Sequence, residues 1–185
     1  MPDSLTTCTL AQPTDTFAQH SRTSRGSRGH LSGTGNTGPG GRVVRGMDIA
    51  TAIEFARPQH NSILTTIRKN GRPQQSNVTH WVGDDGLIRI SITADRAKYF
   101  NLVREPWAAL HVSSPDFWSY VVLEGEAEVS PVAAEPDDAT VEELIAYYRA
   151  VSGEHPDWDD YRRAMVADRR AVVRIRPNHT YGLTR

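Results

Sequence analysis

The chain has 185 residues, 38% hydrophobic and 23% charged, with 21 Lys and Arg against 22 Asp and Glu and one cysteine, Cys8. That length holds one domain with a real core, and a formal charge of −1 excludes a global drive toward nucleic acid or an anionic membrane surface. One cysteine excludes an intrachain disulfide and a cysteine-rich zinc framework; no apolar run approaches the ~20 residues that cross a bilayer, so the sequence reads as soluble, in a reducing, cytoplasmic compartment.

Composition changes near Met47. Residues 1–46 contain 8 of the 14 glycines, and Gly, Ser and Thr fill 21 of those 46 positions. Five arginines (22, 25, 28, 42 and 45) face only Asp3 and Asp15, and Phe17 is the one aromatic. Such a segment buries too little apolar surface to offset its chain entropy, and disorder is expected. A flexible basic tail, a transit peptide and an over-long start are the competing origins. The absence of an amphipathic face, and a patterned helix opening at Met47, favour the third.

A single domain is expected over residues 47–185. Ile49, Ala52, Ile53 and Ala56 recur at helical spacing before Pro58. Strand-like runs follow at Ser62 to Arg68, Arg72 to Val82 and Leu87 to Ile92, separated by Asn70-Gly71 and by Gly83-Asp84-Asp85-Gly86. Turns this short predict an antiparallel meander. A helix is expected from Asp95 to Glu105, stopped by Pro106, then strands at Trp107 to Val112 and Trp118 to Val129. Pro136-Asp137-Asp138 starts a helix with Val141, Leu144, Ile145, Tyr148 and Val151 on its apolar face. A second helix carries Trp158, Tyr161 and Met165, and a last strand begins at Ala171. The fold class is mainly β (α+β): six antiparallel strands with peripheral helices, closing into a barrel that removes sheet edges.

The stretch Ser91-Ile92-Thr93-Ala94-Asp95-Arg96-Ala97-Lys98 places two cations where a strand gives way to a helix. The helix macrodipole makes that placement mildly unfavourable, and a bound phosphate reverses the sign. The alternative is two solvated side chains, or pairing with acids such as Glu105. Gln74-Gln75-Ser76-Asn77-Val78-Thr79 is polar for a barrel strand; it suits either recognition of a heterocycle or an edge facing water. Phe117, Trp118 and Tyr120 offer an aromatic wall, a core or an interface. The histidines lack close ligand spacing, and no metal site is expected. Asp157, Asp159 and Asp160 read as helix-capping charges. With no nucleophile elbow, P-loop or dinucleotide loop, an enzyme of this sequence relies on a bound cofactor.

Gly71-Arg72-Pro73-Gln74-Gln75-Ser76-Asn77, Ser91-Ile92, Arg96-Ala97-Lys98, Asn101-Leu102, Trp118-Ser119-Tyr120 and Leu123-Glu124-Gly125 together resemble the pyridoxamine 5′-phosphate oxidase-like split-barrel superfamily. With Gly153-Glu154-His155, Asp157 to Arg162 and Asp168-Arg169-Arg170, the pattern is similar to its deazaflavin branch, the coenzyme F420-dependent reductases. The resemblance covers Met47 to Leu183. It implies a homodimeric split barrel of the FMN-binding type, with two cofactor sites at the subunit interface. It implies that Arg96 and Lys98 hold the cofactor phosphate, that Gln74, Ser76 and Asn77 line the ring, and that Ser91, Ile92 and Asn101 lie nearby. Trp118 and Tyr120 approach from the partner, and Arg170 meets the acidic tail of the coenzyme, a role to which Arg162, Arg163 and Arg169 are also suited.

The activity implied is hydride transfer to an electron-poor small molecule such as a quinone, an enone or an unsaturated lactone. The alternatives are a non-catalytic coenzyme-binding or storage protein, and an FMN-dependent oxidoreductase. The chain stops at Tyr181-Gly182-Leu183-Thr184-Arg185, without the basic, His-bearing extension of authentic pyridoxamine phosphate oxidases, so vitamin B6 oxidation is not expected.

Overall fold

The computed structural model describes residues 47–184. The expected disorder of residues 1–46, and Cys8 with them, lies outside the described residues. Asp48 opens the first helix, α1 (Ile49–Ala56), accepting a hydrogen bond from the Thr51 amide. The helix buries Ala52 and Ala56 and stops before Pro58. The strands β1 (Asn61–Ile67) and β2 (Pro73–Thr79) form the expected hairpin, with Gly71 at a positive φ of 78° that suits a residue without Cβ.

The expected strand from Arg72 to Val82 is not continuous. It breaks at His80, and Trp81–Val82 forms a separate short strand, β3. The remaining elements are β4 (Ile88–Thr93), α2 (Ala97–Arg104), β5 (Trp107–Ser113), β6 (Tyr120–Val129), α3 (Ala139–Ser152), α4 (Trp158–Ala167) and β7 (Arg170–Leu183). Among the described residues there are therefore seven strands rather than six, in the order β2-β1-β5-β6-β7-β4-β3, every pairing antiparallel. The expected meander ends at its first hairpin. The third run, β4, pairs along its whole length with β7 and meets only the two residues of β3 on its other side.

The break has a local cause. His80 is fully buried, and its Nε2 donates to the Ala56 carbonyl at 3.2 Å. A carbonyl only accepts, so Nδ1 of the neutral ring accepts a hydrogen bond from the Ser62 hydroxyl, 3.0 Å away. His80 faces inward in step with Val78 before it and Val82 after it, and beyond it Trp81 and Val82 pair with Arg89 and Ile88 of β4 instead of with β1. Since β2 and β3 are the two ends of the sheet yet one residue apart in sequence, the sheet has to curl until its ends meet. Below that junction β2 and β4 leave an unpaired seam.

The interior is built from alternate residues of the curled sheet, including Leu64, Ile90, Leu110, Val121, Leu123 and Val173, with Ala52 and Ala56 of α1 and Leu102 of α2 packed onto them. A second cluster forms where α3 and α4 cover the outer face of β4 and β7 around Leu144, Tyr161, Met165 and Val172. Glu143 of α3 ties that layer down by pairing with Arg89 and Arg174, which lie opposite each other on β4 and β7. The acids ahead of α4 act as expected, with Asp157 accepting from the Asp160 amide. On the outer face of β1, β5, β6 and β7, Ile63, Trp107, His111 and Tyr181 belong to neither cluster.

Candidate functional site

The site builds up around the strand-to-helix junction. Three helices, α1, α3 and α4, open on an aspartate whose side chain accepts from a first-turn amide. The fourth, α2, opens on Arg96, which makes no side-chain cap, and its first turn carries no acid. Arg96 is therefore the N-cap residue and Lys98 the second residue of the helix. The Arg96 side chain is 64% exposed and touches Asp95 at 3.6 Å; pairing with Glu105 is not seen. Lys98 is half-buried and forms no hydrogen bond or ion pair among the described residues. Burial, and then the charge of Arg96, pull its ammonium below the ordinary lysine range. Amides, macrodipole and two cations thus converge on one place with no carboxylate to answer Lys98.

One helical turn further along α2 lies Asn101, only 6% exposed. Its Nδ2 donates to Thr66 Oγ1 and to Gln74 Oε1, both at 3.0 Å, and the Thr66 hydroxyl donates to the same Gln74 oxygen at 3.4 Å. Two residues along β2, Ser76 points to the same side as Gln74, and its buried Oγ has no hydrogen-bond partner among the described residues. Asn101, bonded to these groups of β1 and β2, thus stands about one helical turn along α2 from Lys98.

The other expected residues separate. Asn77 follows the alternation to the opposite, exposed face of β2, in register with Ile63 and through it with His111. Ile92 turns its side chain into the barrel core. Ser91 faces outward under α3, where Arg170 Nη1 donates to its Oγ at 3.4 Å. Arg170 also pairs with Asp168 at 3.3 Å, while Arg162 and Arg163 pair with Glu142 and Asp160. Trp118 is not in a strand: β6 starts at Tyr120, and Trp118 lies, 65% exposed, in a loop that Phe117 turns with a φ of 68°. Tyr120 packs edge-on to the His111 ring at 5.3 Å.

Two participants are absent from the sequence reading. Thr66 is 1% exposed, and its parity with Ser62 and Leu64 along β1 is the signal that turns it inward. Tyr147 of α3 donates its hydroxyl to the Thr79 carbonyl at 2.8 Å, bridging the covering helix to the edge of β2.

A curled antiparallel sheet of seven strands with four helices packed on it is an α+β half-barrel among the described residues. A family model described as pyridoxamine 5′-phosphate oxidase matches residues 50–184, and the chain belongs to that family. Among solved structures, it is similar to a conserved hypothetical protein from Mycobacterium tuberculosis, at 23% identity and a TM-score of 0.58, over 79% of this chain and 89% of that one. It is similar to an F420 reductase at 26% identity and a TM-score of 0.52, over 71% and 94% of the two chains. A heme binding protein from Mycobacterium smegmatis, 18% identical with a TM-score of 0.52 over 73% of this chain and 52% of that one, shares the fold. Among the described residues, no helix is long and apolar enough to cross a membrane.

Proposed function

We propose that the protein is a deazaflavin-dependent oxidoreductase that binds coenzyme F420 at the mouth of the β2–β4 seam and reduces an electron-poor small molecule such as a quinone, an enone or an unsaturated lactone. The observation that carries the reading is Lys98, a half-buried cation without an anionic partner among the described residues, beside Arg96 at an uncapped helix start. A phosphate fits this place because it satisfies the first-turn amides and both charges at once. The orphaned Ser76 Oγ and the amides one turn away fit a polar heterocycle on the same ligand.

Arg96 and Lys98 hold the phosphate; Gln74, Ser76 and Asn101 orient the ring; the seam walls exclude water. When bound and reduced, the coenzyme would supply a hydride, and the one proton that completes the reduction of the acceptor comes from solvent. The family supports a flavin-type cofactor, and the F420 reductase likeness supports the deazaflavin. The apolar outer face around Ile63 and Trp107 supports a homodimer, in which Trp118 and Tyr120 of the partner subunit close each site and Asn77 lies in the interface. Arg170, held by Asp168, extends the cationic surface toward the coenzyme's acidic tail.

Tryptophan fluorescence titration with coenzyme F420 and with FMN tests the reading. Saturable quenching by F420 and weak binding of FMN is the expected outcome; the reverse preference assigns the chain to FMN chemistry, and binding of neither removes the proposal. Changing Arg96 and Lys98 together to Ala is expected to weaken binding by about a hundredfold or more, since each charge-assisted hydrogen bond contributes about 1.5–3 kcal/mol. Wild-type affinity in that variant would move the phosphate elsewhere.

A further inference from the structure

The three groups at the inner end of β2 form a closed hydrogen-bonded ring. Asn101 Nδ2 uses its two hydrogens on Thr66 Oγ1 and Gln74 Oε1 at 3.0 Å each, and the Thr66 hydroxyl, having accepted from Asn101, gives its own hydrogen to Gln74 Oε1 at 3.4 Å. Counting lone pairs and hydrogens, the Gln74 carbonyl oxygen has accepted twice and is saturated. What Gln74 has left to offer is the Nε2 amide, a donor with no acceptor capacity. Ser76 adds a buried hydroxyl, without a partner among the described residues, at the next position on the same side of the strand. Thr66 and Asn101 are 1% and 6% exposed, so water does not compete for the ring of bonds.

We infer that Thr66 and Asn101 are positioning residues that set the hydrogen-bonding sense of the ring subsite, holding Gln74 so that β2 presents donors, and that the subsite therefore takes the acceptor edge of a planar heterocycle, a carbonyl oxygen or an unprotonated ring nitrogen. The inference rests on the cofactor reading above and deepens it. It goes beyond the location of the ring by stating which of its edges faces β2 and by assigning a role to Thr66. The opposite arrangement, with both carboxamides turned over, presents Gln74 Oε1 instead and takes a ring N–H.

The first test needs no ligand. Side-chain amide exchange followed by NMR in the free wild-type protein is expected to show Asn101 protons protected and Gln74 protons exchanging freely; the reverse pattern overturns the inference. Adding coenzyme F420 is expected to protect the Gln74 amide. The second test uses variants, with coenzyme F420 and inorganic phosphate as separate probes. In Asn101→Asp the carboxylate can only accept, so Gln74 has to turn its amide inward and its oxygen toward the ligand. Affinity for F420 is expected to fall about tenfold further than phosphate affinity, which the new carboxylate one turn from Lys98 lowers by itself. Thr66→Val is expected to weaken F420 binding in the same selective way, and Thr66→Ser to restore it. Unchanged F420 affinity in Asn101→Asp, with Arg96→Ala plus Lys98→Ala still losing phosphate, overturns the polarity and leaves the anion site standing. Wild-type protein that binds phosphate but no ring-bearing cofactor overturns the cofactor reading and the subsite with it. Should Asn101→Asp fail to fold, the exchange pattern of the wild type decides.

Discussion

At the scale of single residues, the two informative side chains are a cation and a base placed where their charged forms are costly. Lys98 and Arg96 stand where β4 gives way to α2, a placement legible from charge order along the chain, and the anion proposed above would offset both charges. His80 was not legible, because a histidine between Thr79 and Trp81 looks like any other residue of an alternating strand. Burial pushes its pKa from 6.5 down to about 4. Above pH 6.5 both folded and unfolded states carry a neutral ring, and the group contributes no pH dependence. As pH falls from 6.5 toward 4, the unfolded chain takes up the proton and the folded chain does not, so stability declines by about 3 kcal/mol across that window. Urea unfolding at pH 7 and pH 5 is expected to show about 2 kcal/mol of this loss in the wild type and a flatter profile in His80→Asn, with lower stability at pH 7 because two buried bonds go unmade. Equal slopes would assign the acid sensitivity to another group. Thr66 escaped notice for a different reason: in Thr65-Thr66 either residue could face inward, and only the parity set by Leu64 separates them.

At the scale of elements, the β6–β7 ladder is the longest in the sheet, with a shift in register between Glu124 and Gly125. Two glycines allow the strands to lie close. A Cβ on Gly125 would run into the Arg176 carbonyl, and one on Gly182 into that of Tyr120. Backbone cannot rotate away as a side chain can, so Gly125→Ala or Gly182→Ala is expected to cost about 1–3 kcal/mol. Gly71→Ala, in open space but at positive φ, is expected to cost about 1 kcal/mol. Comparing the urea midpoints of the three variants checks the order. Most elements were visible in the sequence because caps, prolines and turn glycines mark their ends. What escaped was which strands pair. Alternation in β4 says that one face is buried, and nothing in it names β7, about eighty residues later, as the neighbour. The loop before β6 misled for a related reason, since aromatic residues favour strands, whereas Phe117 and Trp118 sit exposed on a turn.

At the scale of the whole molecule, helices cover one outer face of the barrel, while Ile63, Trp107 and Tyr181 on another belong to neither core cluster and would be covered by the homodimer proposed above. Placing a charge at its centre with Ile63→Arg is expected to leave the circular dichroism of the fold intact, convert a dimer to a monomer by light scattering, and reduce F420 affinity with it. A monomeric wild type, or a dimeric variant with full affinity, would remove the shared-site reading. The curl of the sheet has a further consequence for register. β2 is the most polar strand of the barrel, with Val78 as its one buried side chain. A two-residue slip along β1 would keep its inward and outward faces, so burial alone penalises that error weakly. But β2 cannot slide by itself. With only His80 between them, a slip would pull Trp81 and Val82 off Arg89 and Ile88 and withdraw the imidazole from Ala56 and Ser62. The alignment of the strand that carries Gln74 and Ser76 is thus proofread from the opposite edge of the sheet, by residues that never touch the site.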